Sequence, residues 1–297
     1  MDQQICQSKE ELAASEILRA LFTELSHDRQ VLFERIDRNL DAVANVNREL
    51  LTALVQQTGD LNLRSAGGSA TTFYYAAESE SFAQHYDDWR RKRVATITRF
   101  YQDRYGADFF AGKRVLELGC GYGDLGAEFA KLGADLTCSD ARPEHLDVVR
   151  KRYPEVKVVQ ADLDSEWPFG DGWDVVLHLG LLYHLRAPEP TMRWASQSAT
   201  HLVLETEVCD STDPRFILRM KESGYDQAHN GFGCRPSTGC VETILTECGM
   251  QFERLLDGSC NSGMHVYDWQ ELNTGAWRHG LRRLWFACAP MLPGSNA

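Results

Sequence analysis

The sequence predicts an α/β protein: a doubly wound, mainly parallel sheet that carries an N-terminal helical extension. Two observations lead there. From Lys113 onward, short apolar runs alternate with stretches of helical spacing, the order that puts helices on both faces of a parallel sheet. Before that, residues 10–57 contain neither Pro nor Gly, and their apolar residues recur at spacings of three and four. With 297 residues, 43% of them apolar, the chain can build one large domain, or one domain with an appendage.

The extension comes first. From Ile36 the series Leu40, Val43, Asn47, Leu50, Leu54 steps by four and three. That is a heptad seam with Leu40, Asn47 and Leu54 at a, and Val43 and Leu50 at d. A polar a residue such as Asn47 lowers stability but fixes register and oligomer state. Leu18, Leu21, Leu25 and Leu32 keep a similar rhythm in another phase, which places a stutter or break near residues 28–36. A helix of this length reaches roughly 70 Å at 1.5 Å per residue. Val46 and Leu51 widen the apolar face, so a bundle or a trimer stays open beside a two-stranded coil, as does a helix pair packed on the protein's own core. The expected organisation is a helical, coiled-coil oligomerisation segment at 1–58, a linker at 59–72 beginning with Gly59, and the main domain at 73–297. The partner expected for the extension is a second copy of the chain.

Residues 73–105 are aromatic and charged, with helical spacing from about Ser81. The first strand is VLELGC, at 115–120, and a helix is expected at 123–132. ADLTCSD (134–140) is the second strand, followed by a helix at 143–152. VKVVQADL (156–163) is the third strand, DVVLHLGLLYHL (174–185) a fourth running into a loop, and HLVLETEV (201–208) a fifth. HNGFGCRPS (229–237) reads as a substrate loop or a plain connection. A helix at 237–249 precedes a closing pair of strands, QFERLLD (251–257) and RRLWFACA (282–289).

Composition narrows the function. The net charge is −12, and the densest basic cluster, Arg90 to Arg93, is short and neighbours Asp87 and Asp88. That balance disfavours a polynucleotide partner, which needs phosphate-neutralising side chains. No apolar run approaches the ~20 residues that span a bilayer. Nothing resembles a signal peptide, because the first apolar residues are interleaved with Glu, Ser and Arg; a cytoplasmic protein is expected. The nine cysteines include no CxxC, and Cys234, Cys240 and Cys248 are spaced by six and eight. Reduced, mostly buried thiols and no resident metal are expected.

Ligands of such sheets bind beyond the carboxyl ends of the strands. Three features fall there: Glu117-Leu118-Gly119-Cys120-Gly121-Tyr122-Gly123 after the first strand, Asp140 ending the second, and Asp162 ending the third. The glycines let a backbone approach a ligand closely. Asp140 can accept hydrogen bonds from a ribose diol, and Asp162 can reach an adenine edge. Residues 121–126 also fit GxGxxG, and Asp140 lies 19 residues after Gly121, close to the dinucleotide spacing. Spacing alone separates neither option. Glu117 before the glycines suits a cationic aminoacyl group, while Asp124 and Glu128 oppose a pyrophosphate at the helix that follows.

VLELGCGYG, Asp140, ADLD at 161–164 and HLGLLYHL at 178–185 together resemble the class I S-adenosylmethionine-dependent methyltransferases, over residues 113–190. The resemblance implies a Rossmann-like, seven-stranded sheet whose last strand is antiparallel. It also implies S-adenosyl-L-methionine as cofactor. On it, Glu117, Gly119 and Gly121 hold the methionine moiety, with Cys120 and Tyr122 in the same loop. Asp140 and Ala141 meet the ribose, Asp162 and Leu163 flank the adenine, and Leu179 closes the fourth strand beside them. LGLLYHLRAP and PSTGCVETILTECG (236–249) resemble segments of the tRNA wobble-uridine carboxymethyltransferases and of many sugar and natural-product methyltransferases.

Methyl transfer to a hydroxyl needs alignment and a proton acceptor. His178, Tyr183 and His184 surround the fourth-strand loop, and His184 is the first choice because imidazole titrates near neutrality. Glu205 and Glu207 end the fifth strand and could hold a substrate hydroxyl or, with His265, a metal. The fourth strand lacks the Asn/Asp-Pro-Pro-Tyr/Phe motif that organises planar nitrogens. By analogy with the family, the aromatic and basic residues Tyr74, Tyr75, Tyr86, Trp89 and Arg90 would cap the cofactor. The expected activity is O-methylation of a glycan or small hydroxylated metabolite. An RNA base methyltransferase, and a coiled-coil interaction protein with a vestigial domain, are the alternatives.

Overall fold

Val- and Leu-rich runs become strands in the computed structural model, which describes residues 80–222, 227–263 and 265–290. The expected coiled coil and linker lie outside the described residues, as do Tyr74 and Tyr75. The described helices are α1 (Glu80–Tyr105), α2 (Gly126–Lys131), α3 (Pro143–Arg152), α4 (Glu189–Ser198) and α5 (Thr238–Glu247). The strands are β1 (Arg114–Leu118), β2 (Asp135–Asp140), β3 (Lys157–Gln160), β4 (Trp173–Leu179), β5 (Ala199–Glu207), β6 (Ile217–Lys221), β7 (Phe232–Pro236), β8 (Gln251–Arg254) and β9 (Arg282–Cys288). Seven strands form one sheet in the order β3-β2-β1-β4-β5-β9-β8. The first five pair in parallel; β9 runs antiparallel between β5 and β8.

Alternation along the strands builds two cores. Val115, Val175, Leu177, Val203, Leu284 and Phe286 face a cluster that includes Trp89, Ile97 and Tyr101 of α1, Phe129 of α2, and Leu146 and Val149 of α3. Leu116, Leu118, Val176, Leu202, Leu204 and Trp285 face the opposite cluster, with Met192 of α4 and Val241 and Leu245 of α5. Each large apolar side chain so buried contributes roughly 1.5–3 kcal/mol. The central strands β1, β4 and β5 are therefore buried along most of their length, whereas the edge strands β3 and β8 are partly exposed. Trp89, Arg93, Ile97 and Tyr101 recur every four residues on α1, which sets its inward face. The helix ends follow the usual chemistry. Pro143 opens α3, whose last turn carries Arg150, Lys151 and Arg152 against the helix dipole, and Ser237 caps α5 by accepting the Cys240 N–H.

Two expectations are corrected. The third strand stops at Gln160, so Asp162 and Leu163 lie in the loop beyond it. The stretch HNGFGCRPS is not a plain connection: Phe232–Pro236 is β7, paired antiparallel with β6. The β6–β7 hairpin packs on the loop after β4, where Cys234 Sγ and Arg235 Nη1 reach the carbonyls of Leu182 and Tyr183. Among the described residues, eight cysteines are free thiols and only Cys248 and Cys288 are partly exposed. No described helix is long and apolar enough to cross a membrane.

Candidate active site

The loop after β1 is held from two sides. Gly121 takes φ +53°, and its N–H donates to Asp140 Oδ2 at 3.0 Å. A side chain there would force a strained left-handed backbone at the point where β1 and β2 ends are tied. Glu117 points into the protein instead of toward the cleft. It is 4% exposed, accepts the Gly126 N–H at the start of α2, and accepts Cys138 Sγ–H at 3.4 Å. A Cβ on Gly126 would collide with its carboxylate, which is why glycine stands there. Burial pushes the Glu117 pKa up to about 8. The expectation that Glu117 meets a cationic aminoacyl group is therefore corrected: it is a neutral acid that pins the loop to α2. The same contact bears on the dinucleotide option, because the helix N-terminus that would receive a pyrophosphate is already occupied by Glu117. Cys120 lies with Glu117 and Cys138 in one buried group. The Tyr122 ring packs edge-on against His145 at 4.7 Å. Both are loop supports, and neither lines the cleft.

The cleft itself is a cavity of about 40 Å³ lined by Gly119, Asp140, Ala141, Asp162, Leu163 and His184, with Ala161, Asp164, Leu181, Leu185 and His229. Asp140 accepts from the N–H groups of Gly121 and Arg142, and His145 Nδ1 lies 3.3 Å from Oδ1. Burial alone would raise its pKa, but the His145 hydrogen bond and charge and the Arg142 N–H outweigh it, and the carboxylate sits below the usual range. A carboxylate has about four acceptor positions, and three are taken here, so one on Oδ2 remains for a ribose hydroxyl. Leu181 covers Gly119, with its Cδ1 2.7 Å from where a Cβ would stand. The donor set suits S-adenosylmethionine: an acid at the ribose position, Asp162 and Leu163 at the adenine position, and a Gly119 face covered by the end of Leu181. At about 40 Å³ the cavity must widen to admit it, since ligand pockets run to roughly 300–1,000 Å³. Leu179, expected at the cofactor, is buried at the end of β4 among the α1-side core residues and does not line the cavity.

The three candidate bases separate sharply. His178 is fully buried in β4, neither ring nitrogen has a hydrogen-bond partner among the described residues, and burial holds its pKa down to about 3. It is a neutral core residue, and its expected catalytic role is corrected. Tyr183 accepts from Arg282 Nη2 at 2.9 Å, with the guanidinium 4.7 Å from its ring centroid. Burial raises its pKa above the ordinary value, so it is no base. His184 lines the cavity, and its Nδ1 lies 2.6 Å from Glu222 Oε2. Burial lowers the His184 pKa, opposed by the Glu222 carboxylate. Burial raises and the His184 hydrogen bond and Arg235 lower that of Glu222, with a net fall. Nδ1 is thus committed to a carboxylate, which leaves Nε2 to accept a proton.

Behind the dyad lies a buried lattice. Arg93 Nη1 and Arg282 Nη1 hold the two oxygens of Glu205 at 3.2 and 2.9 Å. Arg235 Nε holds Glu207 at 2.9 Å, and its Nη2 holds Glu222. Glu207 also accepts from Trp277 Nε1 and the Gly280 N–H, and faces His279. Three arginines thus balance three glutamates. The suggested Glu205–Glu207–His265 metal grouping does not form: both carboxylates are taken by arginines, and His265 stacks on Trp89 at 3.8 Å. On α1 it is Arg93, over Trp89 at 3.6 Å, that faces the sheet, while Arg90 pairs with Asp87 at 2.7 Å. Glu222, Arg235 and Arg282 were not singled out by the sequence. The signal available was charged residues inside otherwise apolar strand runs, as in RRLWFAC.

Comparisons with known proteins bear on the fold and the domain. Residues 115–202 match a family described as "Methyltransferase domain". The mitochondrial ubiquinone biosynthesis O-methyltransferase of Schizosaccharomyces pombe is 30% identical over 102 residues, covering 32% of this chain and 36% of that one. The ubiquinone biosynthesis O-methyltransferase of Xanthomonas euvesicatoria is 40% identical over 88 residues, covering 27% of this chain and 35% of its own. The chain thus spans little more than a third of the length of these relatives. The N-terminal domain of EvdMO1, solved in the presence of SAH and D-fucose, shares the fold with a TM-score of 0.52 at 19% identity, over 69% of this chain and 83% of that chain. Residues 115–202 thus resemble a methyltransferase domain, and the residues around the cavity are of the kind that binds S-adenosylmethionine.

Proposed function

We propose that the protein is an S-adenosylmethionine-dependent O-methyltransferase of the GLLYHL-loop kind, acting on a hydroxyl of an uncharged glycan or small hydroxylated metabolite. The observation that carries this reading is the His184–Glu222 dyad on the wall of the cavity that Gly119, Asp140 and Asp162 also line. The bound cofactor supplies an electrophilic methyl group on a sulfonium. Glu222 fixes the His184 ring through Nδ1, so Nε2 can take the acceptor's hydroxyl proton as the oxygen attacks. Tyr183, held by Arg282, packs against the His184 ring at 3.9 Å and limits its tilt. Leu181 and Leu185 supply apolar walls that exclude water. Each arginine of the lattice faces a glutamate, so the lattice offers no uncompensated positive charge, which favours a neutral acceptor over a phosphate-bearing one. The two relatives from Schizosaccharomyces pombe and Xanthomonas euvesicatoria are both O-methyltransferases, which supports the same reaction class. A cytoplasmic homo-oligomer assembled through residues 1–58 belongs to the same proposal.

The test is methyl transfer from labelled cofactor to glycan, sugar-nucleotide and small-metabolite extracts, set beside total RNA. His184→Ala should lower kcat by roughly 10²–10⁴, the range general-base catalysis supplies. Glu222→Gln removes the charge that raises the His184 pKa, so the acid limb of the rate profile should move to lower pH while kcat falls. Label that RNase removes would overturn the acceptor class.

A further inference from the structure

We propose that Asn230 is a positioning residue that ties the adenine-side carboxylate Asp162 to the Glu222–His184 dyad, so one piece of hairpin backbone sets both cofactor recognition and the base. This rests on the cofactor reading above.

Asn230 lies just before β7, and its side-chain amide reaches the loop beyond β3. Nδ2 donates to both oxygens of Asp162 at 3.2 Å and to Asp164 Oδ2 at 3.0 Å. Asp162 Oδ1 also accepts the Asp164 N–H at 3.1 Å, and Asp164 Oδ1 accepts the Arg186 N–H at 2.8 Å. Asp162 and Asp164 both line the cavity. A carboxylate shared evenly by one amide has its plane fixed, and its remaining lone pairs point in fixed directions. An adenine edge presents an amino donor, so a fixed acceptor selects for it, whereas a hypoxanthine edge presents a carbonyl oxygen that a carboxylate repels.

The same backbone leads straight to the base. The Glu222 N–H donates to the Gly231 carbonyl at 2.9 Å, and the Gly231 N–H donates to the Ala228 carbonyl at 3.0 Å. The Ala228 N–H donates to Glu222 Oε2 at 3.1 Å, the oxygen that also holds His184 Nδ1. Asn230 sits between these ties. A Cβ on Gly233 would collide with the Tyr183 carbonyl, so β7 packs backbone to backbone on the His184 loop. A shift of the 228–231 backbone relative to Asp162 therefore carries Glu222 with it.

The experiment is calorimetric binding of S-adenosylhomocysteine and its inosine counterpart to the full chain, wild type against Asn230→Ala and Asn230→Asp. A histidine NMR titration of His184 accompanies it with and without S-adenosylhomocysteine. In the wild type, the adenine form should bind more tightly and its binding should move the His184 titration. Asn230→Ala should lower the adenine preference about tenfold and abolish that movement. Asn230→Asp, which keeps the side-chain shape but places a third carboxylate beside Asp162 and Asp164, should lower it further; it carries the test alone if the Ala variant does not fold. Preference held within twofold in a folded variant overturns the role of Asn230 while leaving the cofactor reading intact. A wild type that binds neither ligand overturns both.

Discussion

Replacing Glu117 by Gln should flatten the pH dependence of stability between pH 5.5 and 8. The Glu117 pKa is raised by burial from 4.5 to about 8. The folded state therefore keeps a proton that the unfolded chain releases above about pH 4.5. The stabilisation is complete below that value and is lost as pH rises toward 8. Each pH unit in that window removes about 1.4 kcal/mol. Over the window from 5.5 to 8, the wild type should lose about 3 kcal/mol more than the variant, or roughly 6–12 °C in Tm for a domain of this size. The Glu117→Gln side chain keeps the shape: its carbonyl can accept the Gly126 N–H, and its amide can face Cys138. His178 and His265, held down to about 3 and 2, lower stability as pH falls through 6.5, but they do so in both proteins and cancel in the difference. Urea unfolding at several pH values reads the effect. Parallel stability curves for the two proteins would refute the claim that Glu117 is a buried neutral acid.

Three further outcomes are expected. Asp140→Ala should weaken S-adenosylhomocysteine binding by roughly 10–150-fold, the equivalent of losing charge-assisted hydrogen bonds of about 1.5–3 kcal/mol, measured by calorimetry; unchanged affinity would put the ribose elsewhere. Arg282→Met leaves Glu205 Oε1 and the Tyr183 hydroxyl without their partner, and should cost about 3–5 kcal/mol in urea unfolding. Adding Glu205→Gln to that variant should restore part of the loss, and a simple sum of the two single losses would count against a coupled lattice. Deleting residues 1–57 should lower the mass per assembly in light scattering; an unchanged mass would remove the proposed oligomerisation role of the extension.

The sheet was legible in the sequence because a doubly covered strand must be apolar on both faces. VLELGC, ADLTCSD and HLVLETEV announce themselves without any knowledge of their neighbours. The cofactor loop was legible for a related reason, since its glycines and Asp140 are near in sequence as well as in space. Glu117 was located correctly but given the wrong direction: nothing local says which way a strand residue faces when both faces are buried. The β6–β7 hairpin escaped because Gly231, Gly233 and Pro236 carry the composition of a loop, and its pairing partner lies some fifteen residues upstream. His184 could be singled out from its loop, but the Glu222 that makes it a dyad is 38 residues away and becomes visible only when the hairpin folds back. His178, six residues earlier in the same run, has the same chemistry and a different fate, decided by whether a strand or a loop carries it.

Leu181 bears on how fast the site can fill. The group lying over Gly119 is the far end of a single flexible side chain, so admitting a ligand there asks for a rotation about χ angles and leaves the backbone hydrogen bonds of the loop in place. Such rotations are far quicker than millisecond encounters with a metabolite. Association at this cleft should therefore be paced by diffusion and by the cofactor's own orientation, and residence time should be the quantity that substitutions at position 181 change.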